Sequence, residues 1–207
     1  MLNPLSRRSL CLQCHRPVAS CICRWVQTVA NLPEVVVLQH PLEVRQAKGS
    51  ARLLMLCLQN AGLLKGEAFD EAPLQTVLHA GGRQPVLLYP ATDTSEAADL
   101  LFDPAAFDMS GQVTENIRLI ILDATWRKSR KMLYLNPILQ QLPRMSLQDM
   151  PASHYRIRKA HAPDQLSTLE ATCYALMQLE RNETKYQPLL QAFDGFVGQQ
   201  MALSTPA

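Results

Sequence analysis

An α/β domain with a mostly parallel sheet and flanking helices, entered through a small cysteine-rich knuckle, is the architecture this sequence predicts. Three observations carry it. Short apolar runs alternate with segments of helical periodicity. Each of the three strongest runs ends in a polar cluster, and four of the six cysteines fall within thirteen residues near the N-terminus.

The knuckle comes first. Cys11-Leu-Gln-Cys14 and Cys21-Ile-Cys23 have the spacing C-x2-C-x6-C-x-C. In a reducing compartment such a cluster reads as a metal site rather than a disulfide pair. Four thiolates close a tetrahedral zinc shell with no position left for substrate, so the expected metal is structural. His15, inside the knuckle, is a weaker candidate ligand. Cys57 and Cys173 lie in apolar helical patterns and read as small core residues.

Pro33 to Gln39 is a β-branched run and reads as the first strand; Ala51 to Leu64 follows with helical spacing at Leu54, Leu58 and Ala61. Pro85 to Tyr89 is a second strand, followed by a helix over Thr94 to Leu101 that Thr94 or Ser95 caps. Gly81-Gly82 and Asp103 to Gly111 read as loops. Ile117 to Leu122 is the clearest buried strand, and Lys128 to Leu142 a helix bent at Pro137. A further short strand is expected within Leu142 to Leu147. Leu166, Leu169, Cys173, Leu176 and Leu179 form a helical stripe that begins near Ser167 or Thr168, and a last helix runs from about Glu183 to Met201.

At 207 residues the chain suits one ordinary domain with an appendage, divided here into a zinc knuckle over 1–30 and an α/β domain over 31–207. With 47% hydrophobic and 18% charged residues the composition is that of a globular protein. No apolar run is long enough for a membrane span and no secretory leader is recognisable, so a cytoplasmic protein is expected. The net charge of +2 hides two basic blocks. Residues 1–24 hold four arginines and no acid, and residues 118–159 hold nine lysines and arginines against Asp123 and Asp149. Such blocks suit a polyanionic partner, or a solvated surface with ordinary ion pairs.

Chemistry is concentrated where the strands end, at Gln39 to Glu43, Tyr89 to Asp93 and Asp123 to Trp126. Ligands of open α/β sheets bind outside the carboxyl ends of the strands, so these loops are expected to line one crevice. Glycine-rich dinucleotide and phosphate loops, His-Glu-x-x-His and Gly-x-Ser-x-Gly are all absent from the sequence. The corresponding nucleotide-binding, metalloprotease and hydrolase readings lose their support.

Asp123-Ala-Thr125-Trp126, followed by Arg127, Lys128, Ser129, Arg130, Lys131 and Met132, resembles the signature of the DTW-domain family. Other marks of that family follow in order: the cysteine knuckle, Leu38-Gln-His-Pro-Leu-Glu43, Arg52-Leu-Leu54, Leu88-Tyr-Pro90, Tyr155-x-x-Arg158 and Leu166-Ser-Thr-Leu-Glu-Ala171. Ala124 stands where many members have Gly, and Gly49-Ser50 where many have Asn-Thr. The resemblance implies a tRNA-uridine aminocarboxypropyltransferase that moves the 3-amino-3-carboxypropyl group of S-adenosylmethionine (SAM) to uridine N3. It also implies kinship with the SPOUT-like superfamily, whose sheet carries a trefoil knot around the SAM site.

In that reading Asp123 is the base that takes the N3 proton, or else an organiser of its loop through Thr125 and the backbone. His40, Pro41, Glu43, Leu88, Tyr89, Pro90, Leu122, Thr125 and Trp126 line the SAM site, with Trp126 either stacking on a base or anchoring the core. Ser167, Thr168 and Glu170 open a helix that either cradles the SAM carboxylate or is simply capped there, with Glu170 an alternative partner for the SAM ammonium. Arg127, Arg130 and Lys131 bind the tRNA phosphate or polarise the uracil carbonyls, and Arg156, Arg158 and Lys159 track tRNA phosphates. Two rivals share these residues: a SAM-dependent RNA methyltransferase and a non-catalytic zinc-containing RNA-binding protein. The sequence leaves the oligomeric state open.

Overall fold

The computed structural model describes residues 9–90, 105–147 and 166–204. The expected helix over Thr94 to Leu101, the cluster residues Thr92 and Asp93, and the basic stretch with Tyr155, Arg156, Arg158 and Lys159 lie outside the described residues.

Among the described residues five strands form one sheet: β1 (Glu34–Gln39), β2 (Ala61–Lys65), β3 (Gln84–Leu88), β4 (Ile117–Asp123) and β5 (Arg144–Met145). Their order across the sheet is β2-β1-β4-β3-β5, and every pairing is parallel. Parallel sheets are covered on both faces, and these strands show why they read as unbroken apolar runs. Val35 and Val37 of β1, Leu119 and Ile121 of β4 and Val86 of β3 join one core; Val36, Leu38, Ile120 and Leu87 join the other. The first core is closed by α1 (Ala51–Cys57), α5 (Thr168–Glu180) and α6 (Gln187–Ser204) together with Cys14 and Ile22 of the knuckle. The second is closed by α2 (Glu71–His79), α3 (Trp126–Leu135) and α4 (Pro137–Gln140).

One expected element is corrected. The helix predicted over Ala51 to Leu64 stops at Cys57, and Ala61–Lys65 is the edge strand β2, in register with β1 from Val35↔Ala61 to Gln39↔Lys65. The cause is a distant clamp. The buried Asn31 side chain receives the Asn60 backbone N–H at 3.0 Å and donates to the Asn60 carbonyl at 2.8 Å and the Pro33 carbonyl at 2.7 Å. With both its backbone groups engaged, Asn60 has no place in a helical ladder. Helix α2 is an addition to the sequence reading, with Leu74 and Leu78 buried one turn apart.

The other differences are at boundaries. The predicted helix over Lys128 to Leu142 begins earlier, at Trp126, and breaks at Asn136, where Pro137 opens α4. The strand expected within Leu142 to Leu147 is two residues long. Helix α5 begins as its stripe predicts, with Ser167 as N-cap in a reciprocal capping box with Glu170. The last helix starts at Gln187 rather than Glu183. Gly81 and Gly82 both have positive φ, which explains the loop that ends α2.

Candidate functional site

The carboxyl ends of β1 and β4 lie side by side, because Gln39 pairs with Asp123 in the sheet register. Asp123 is buried, and both of its carboxylate oxygens accept hydrogen bonds. The Gln39 side-chain amide donates to Oδ2 at 2.8 Å, and the Thr168 hydroxyl at the start of α5 donates to Oδ1 at 2.7 Å. Three segments far apart in sequence thus converge on one carboxylate. Bonds of this kind fix the orientation of the carboxylate. Thr168 and Gln39 both hold this carboxylate, and Thr125, the N-cap of α3, makes no side-chain cap bond there.

His40 follows directly, and its backbone N–H donates to the Asp123 carbonyl at 3.1 Å. Its ring is fixed at both nitrogens. Nδ1 accepts the Leu42 N–H at 3.1 Å, which leaves Nε2 to carry the proton and donate to Glu67 at 3.0 Å. Glu67 also pairs with Lys131 at 3.0 Å, and the Lys131 ammonium beside it, with His40, holds its carboxyl below the ordinary value. The Glu67 loop is pinned in turn by Asn136, whose amide donates to the Glu67 carbonyl at 2.9 Å and whose oxygen accepts the Phe69 N–H at 2.9 Å. Pro41 and Glu43 form a single 3-10 turn in which the buried Glu43 meets Lys128 at 2.8 Å.

On the other side of β4, Tyr89 leaves β3 and meets Trp126 edge to face, with ring centroids 5.8 Å apart. The Arg144 guanidinium lies over the Tyr89 ring at 5.2 Å. Trp126 is 48% exposed, so the core-anchor alternative falls. Leu122, Leu88 and Pro90 sit at the same strand ends, Leu122 and Leu88 half-buried and Pro90 exposed. At the start of α5, capping chemistry is present: Ser167 N–H donates to Glu170 at 2.8 Å and Glu170 N–H to Ser167 Oγ at 3.2 Å. Leu169 N–H is also taken, by Ser50 Oγ at 3.3 Å. Arg127, Arg130 and Lys131 are exposed along α3.

The four knuckle cysteines converge. Their sulfurs all lie within 4.8 Å of one another, with Cys11 to Cys23 at 3.5 Å and Cys14 to Cys21 at 3.7 Å. A tetrahedral zinc with Zn–S bonds of ~2.3 Å sets its sulfurs about 3.8 Å apart, so the donor set fits that ion. Backbone N–H groups of Cys14 and Gln13 lower Cys11 to about 6, whereas burial and the neighbouring sulfurs raise Cys23 to about 12. A divalent cation lets all four ionise together. His15 is not part of the cluster; it occupies a left-handed turn with φ of 52°.

Sequence reasoning missed Gln39 as a holder of Asp123 and Glu67 as a holder of His40. A polar residue ending a buried strand was the available signal for Gln39. None existed for Glu67, which follows the strand misread as helix.

Residues 8–201 match the family model described as the DTW domain. Among curated proteins, the chain is similar to tRNA-uridine aminocarboxypropyltransferase 2 of Macaca fascicularis, with 29% identity over 216 residues that span 98% of this chain and 69% of that one. Its similarity to the Drosophila melanogaster protein of the same name is 30% over 200 residues, covering 91% and 74%. With tRNA-uridine aminocarboxypropyltransferase A of Arabidopsis thaliana it is 25% over 143 residues, covering 64% and 53%. No solved structure matches the chain significantly.

Proposed function

The chain belongs to the DTW-domain family, and from that premise we propose that it transfers the 3-amino-3-carboxypropyl group of SAM to N3 of a tRNA uridine. Transfer of that group to tRNA uridine is what its relatives are named for. The observation that carries the reading is the buried Asp123 carboxylate, held by Gln39 and Thr168 at the convergence of β1, β4 and α5.

SAM supplies a sulfonium whose amino-acid arm carries an electrophilic carbon, with methylthioadenosine as the leaving group. Asp123 accepts the N3 proton as the N3–C bond forms and the C–S bond breaks; the departing sulfur keeps the bonding pair and becomes a neutral thioether. Gln39 and Thr168 keep the carboxylate aimed. His40, Pro41, Leu88, Tyr89, Pro90, Leu122 and Thr125 supply the adenosine wall, and Trp126 a stacking face. Glu43, Ser167, Thr168 and Glu170 shape the end that takes the amino-acid arm. Arg127, Arg130, Lys131 and, outside the described residues, Arg156, Arg158 and Lys159 meet tRNA phosphate. Zn2+ held by Cys11, Cys14, Cys21 and Cys23 is structural, so residues 1–30 are a metal-holding appendage on a SAM-binding body. SPOUT-like kinship is supported by the all-parallel sheet whose strand ends carry this site. Among the described residues no helix is long and apolar enough to cross a membrane; a cytoplasmic site of action is part of this proposal.

The test is nucleoside mass spectrometry of unmodified tRNA incubated with SAM and the purified protein. The expected product is uridine carrying a four-carbon amino-acid chain. A methyl group in its place makes the protein a methyltransferase, and no adduct makes it an RNA-binding protein only. Asp123→Asn should abolish transfer while SAM and tRNA still bind; wild-type rates in that variant would remove the base.

A further inference from the structure

Helix α3 has two faces of opposite character. Ser129, Met132 and Leu133 are buried beneath it. Its outer face carries Trp126, Arg127, Arg130, Lys131 and Tyr134, all exposed, with Tyr134 at 64%. Positions 126, 130 and 134 are one turn apart, so the two rings and the intervening guanidinium follow one line along the helix. At ~1.5 Å per residue the rings are about 12 Å apart along the axis. No acid occurs within α3 itself, and Glu67 lies against this face, paired with Lys131. One end of the line, at Trp126, begins three residues after Asp123 and is braced by Tyr89; the other, at Tyr134, faces solvent.

We propose that this face is the track on which the RNA strand flanking the reacting uridine lies, with Trp126 and Tyr134 as stacking platforms for two separate bases and the cations between them following the backbone. Alternation of rings and positive charge at strand-like spacing is how single-stranded nucleic acid is held, since every base offers a π-face. A protein helix or a membrane would ask instead for a continuous aliphatic stripe, which the cations interrupt. The line starts just past the strand end that carries Asp123, so in this proposal a base at Trp126 delivers its neighbour toward that strand end. Tyr134 has no role in the core that would otherwise explain a large exposed ring. The inference rests on the transferase reading for its choice of RNA and extends it to a residue well away from the reacting atoms.

Tyr134→Ala, Tyr134→Leu and Tyr134→Phe are compared in the zinc-loaded protein, with circular dichroism to confirm folding. Unmodified tRNA binding is measured by anisotropy across a salt series, alongside KM for tRNA, KM for SAM and kcat. Tyr134→Ala and Tyr134→Leu should weaken tRNA binding roughly ten-fold or more, the size of one lost stacking contact, and raise KM for tRNA to match, with KM for SAM unchanged. Tyr134→Phe should behave as wild type. The salt slope should be unaltered in all three and should fall by about one in Arg127→Gln. Wild-type tRNA affinity and KM in Tyr134→Ala would overturn the track while leaving the transferase reading intact. Tyr134-dependent tRNA binding by a wild-type protein that yields no adduct would retain the track and remove the reaction instead.

Discussion

Gly195 of α6 sits beneath the Trp25 ring, and the two together decide how the knuckle meets the helix. A Cβ at position 195 would come within 2.2, 2.5 and 2.7 Å of three ring carbons. Carbon–carbon contacts lie near 3.5 Å, so the ring must retreat by about an ångström. It is poorly placed to do so. The indole N–H donates to Gln199 at 2.6 Å, Gln199 donates onward to the Cys21 carbonyl at 3.0 Å, and the Arg24 guanidinium covers the ring at 4.6 Å. Overpacking costs ~1–3 kcal/mol and a strained hydrogen bond ~1 kcal/mol, against ~1 kcal/mol of helix propensity gained from Gly→Ala. Gly195→Ala should therefore destabilise by about 1–3 kcal/mol, lowering Tm by roughly 3–8 °C. Gly198 is the internal control: it lies on the same helix, and a Cβ there meets nothing within 4 Å. Gly198→Ala should raise Tm by about 1–3 °C. Thermal unfolding of the zinc-loaded protein, followed by circular dichroism, reads both. Because Trp25 is two residues from Cys23, a chelator should also strip metal faster from Gly195→Ala than from Gly198→Ala. A Gly195→Ala protein as stable as wild type would refute the packing argument.

Three further outcomes are expected. Thr168→Val removes one donor from Asp123 and should cut kcat roughly ten- to hundred-fold, the scale of a hydrogen bond to a charged group, with Thr168→Ser restoring the rate; equal rates in Val and Ser variants would argue against a positioning role. Lys131 and His40 hold Glu67 below its ordinary value of 4.5, so its contribution is complete above that value and vanishes as pH falls through the lowered one. The Tm gap between wild type and Glu67→Gln should be open at neutral pH and close in acid, and a gap that persists at low pH would contradict this. Replacing both Cys11 and Cys14 by Ser should abolish stoichiometric zinc and lower stability well beyond the knuckle, because Cys14 is buried in the sheet's own core; retained zinc by metal analysis would reject the four-sulfur site.

Strands β1, β3 and β4 were legible because burial on both faces turns them into unbroken apolar runs. Strand β2 was not. Its edge position leaves it half-buried, Leu54, Leu58 and Ala61 fall at helical spacing, and the stop signal comes from Asn31, some thirty residues upstream. The start of α5 was legible because a capping box is local chemistry. At the site, the four cysteines and the polar residues at strand ends announced themselves through spacing and position. What those residues touch did not: that Asp123 meets Gln39 and Thr168, or that His40 leans on Glu67, follows from sheet order, which periodicity does not encode.

The strand order has a consequence for how the chain matures. β4 fits between β1 and β3, both synthesised before it, and its last residue meets a β1 side chain 84 positions earlier. Among the described residues the centre of the sheet is thus the last long strand to leave the ribosome, and its neighbours must wait apart until it arrives. Pairings so distant in sequence make for slow folding, with unsatisfied strand edges displayed meanwhile. Thr168 emerges later still, so the nascent protein holds no finished carboxylate until the start of α5 has followed the sheet out.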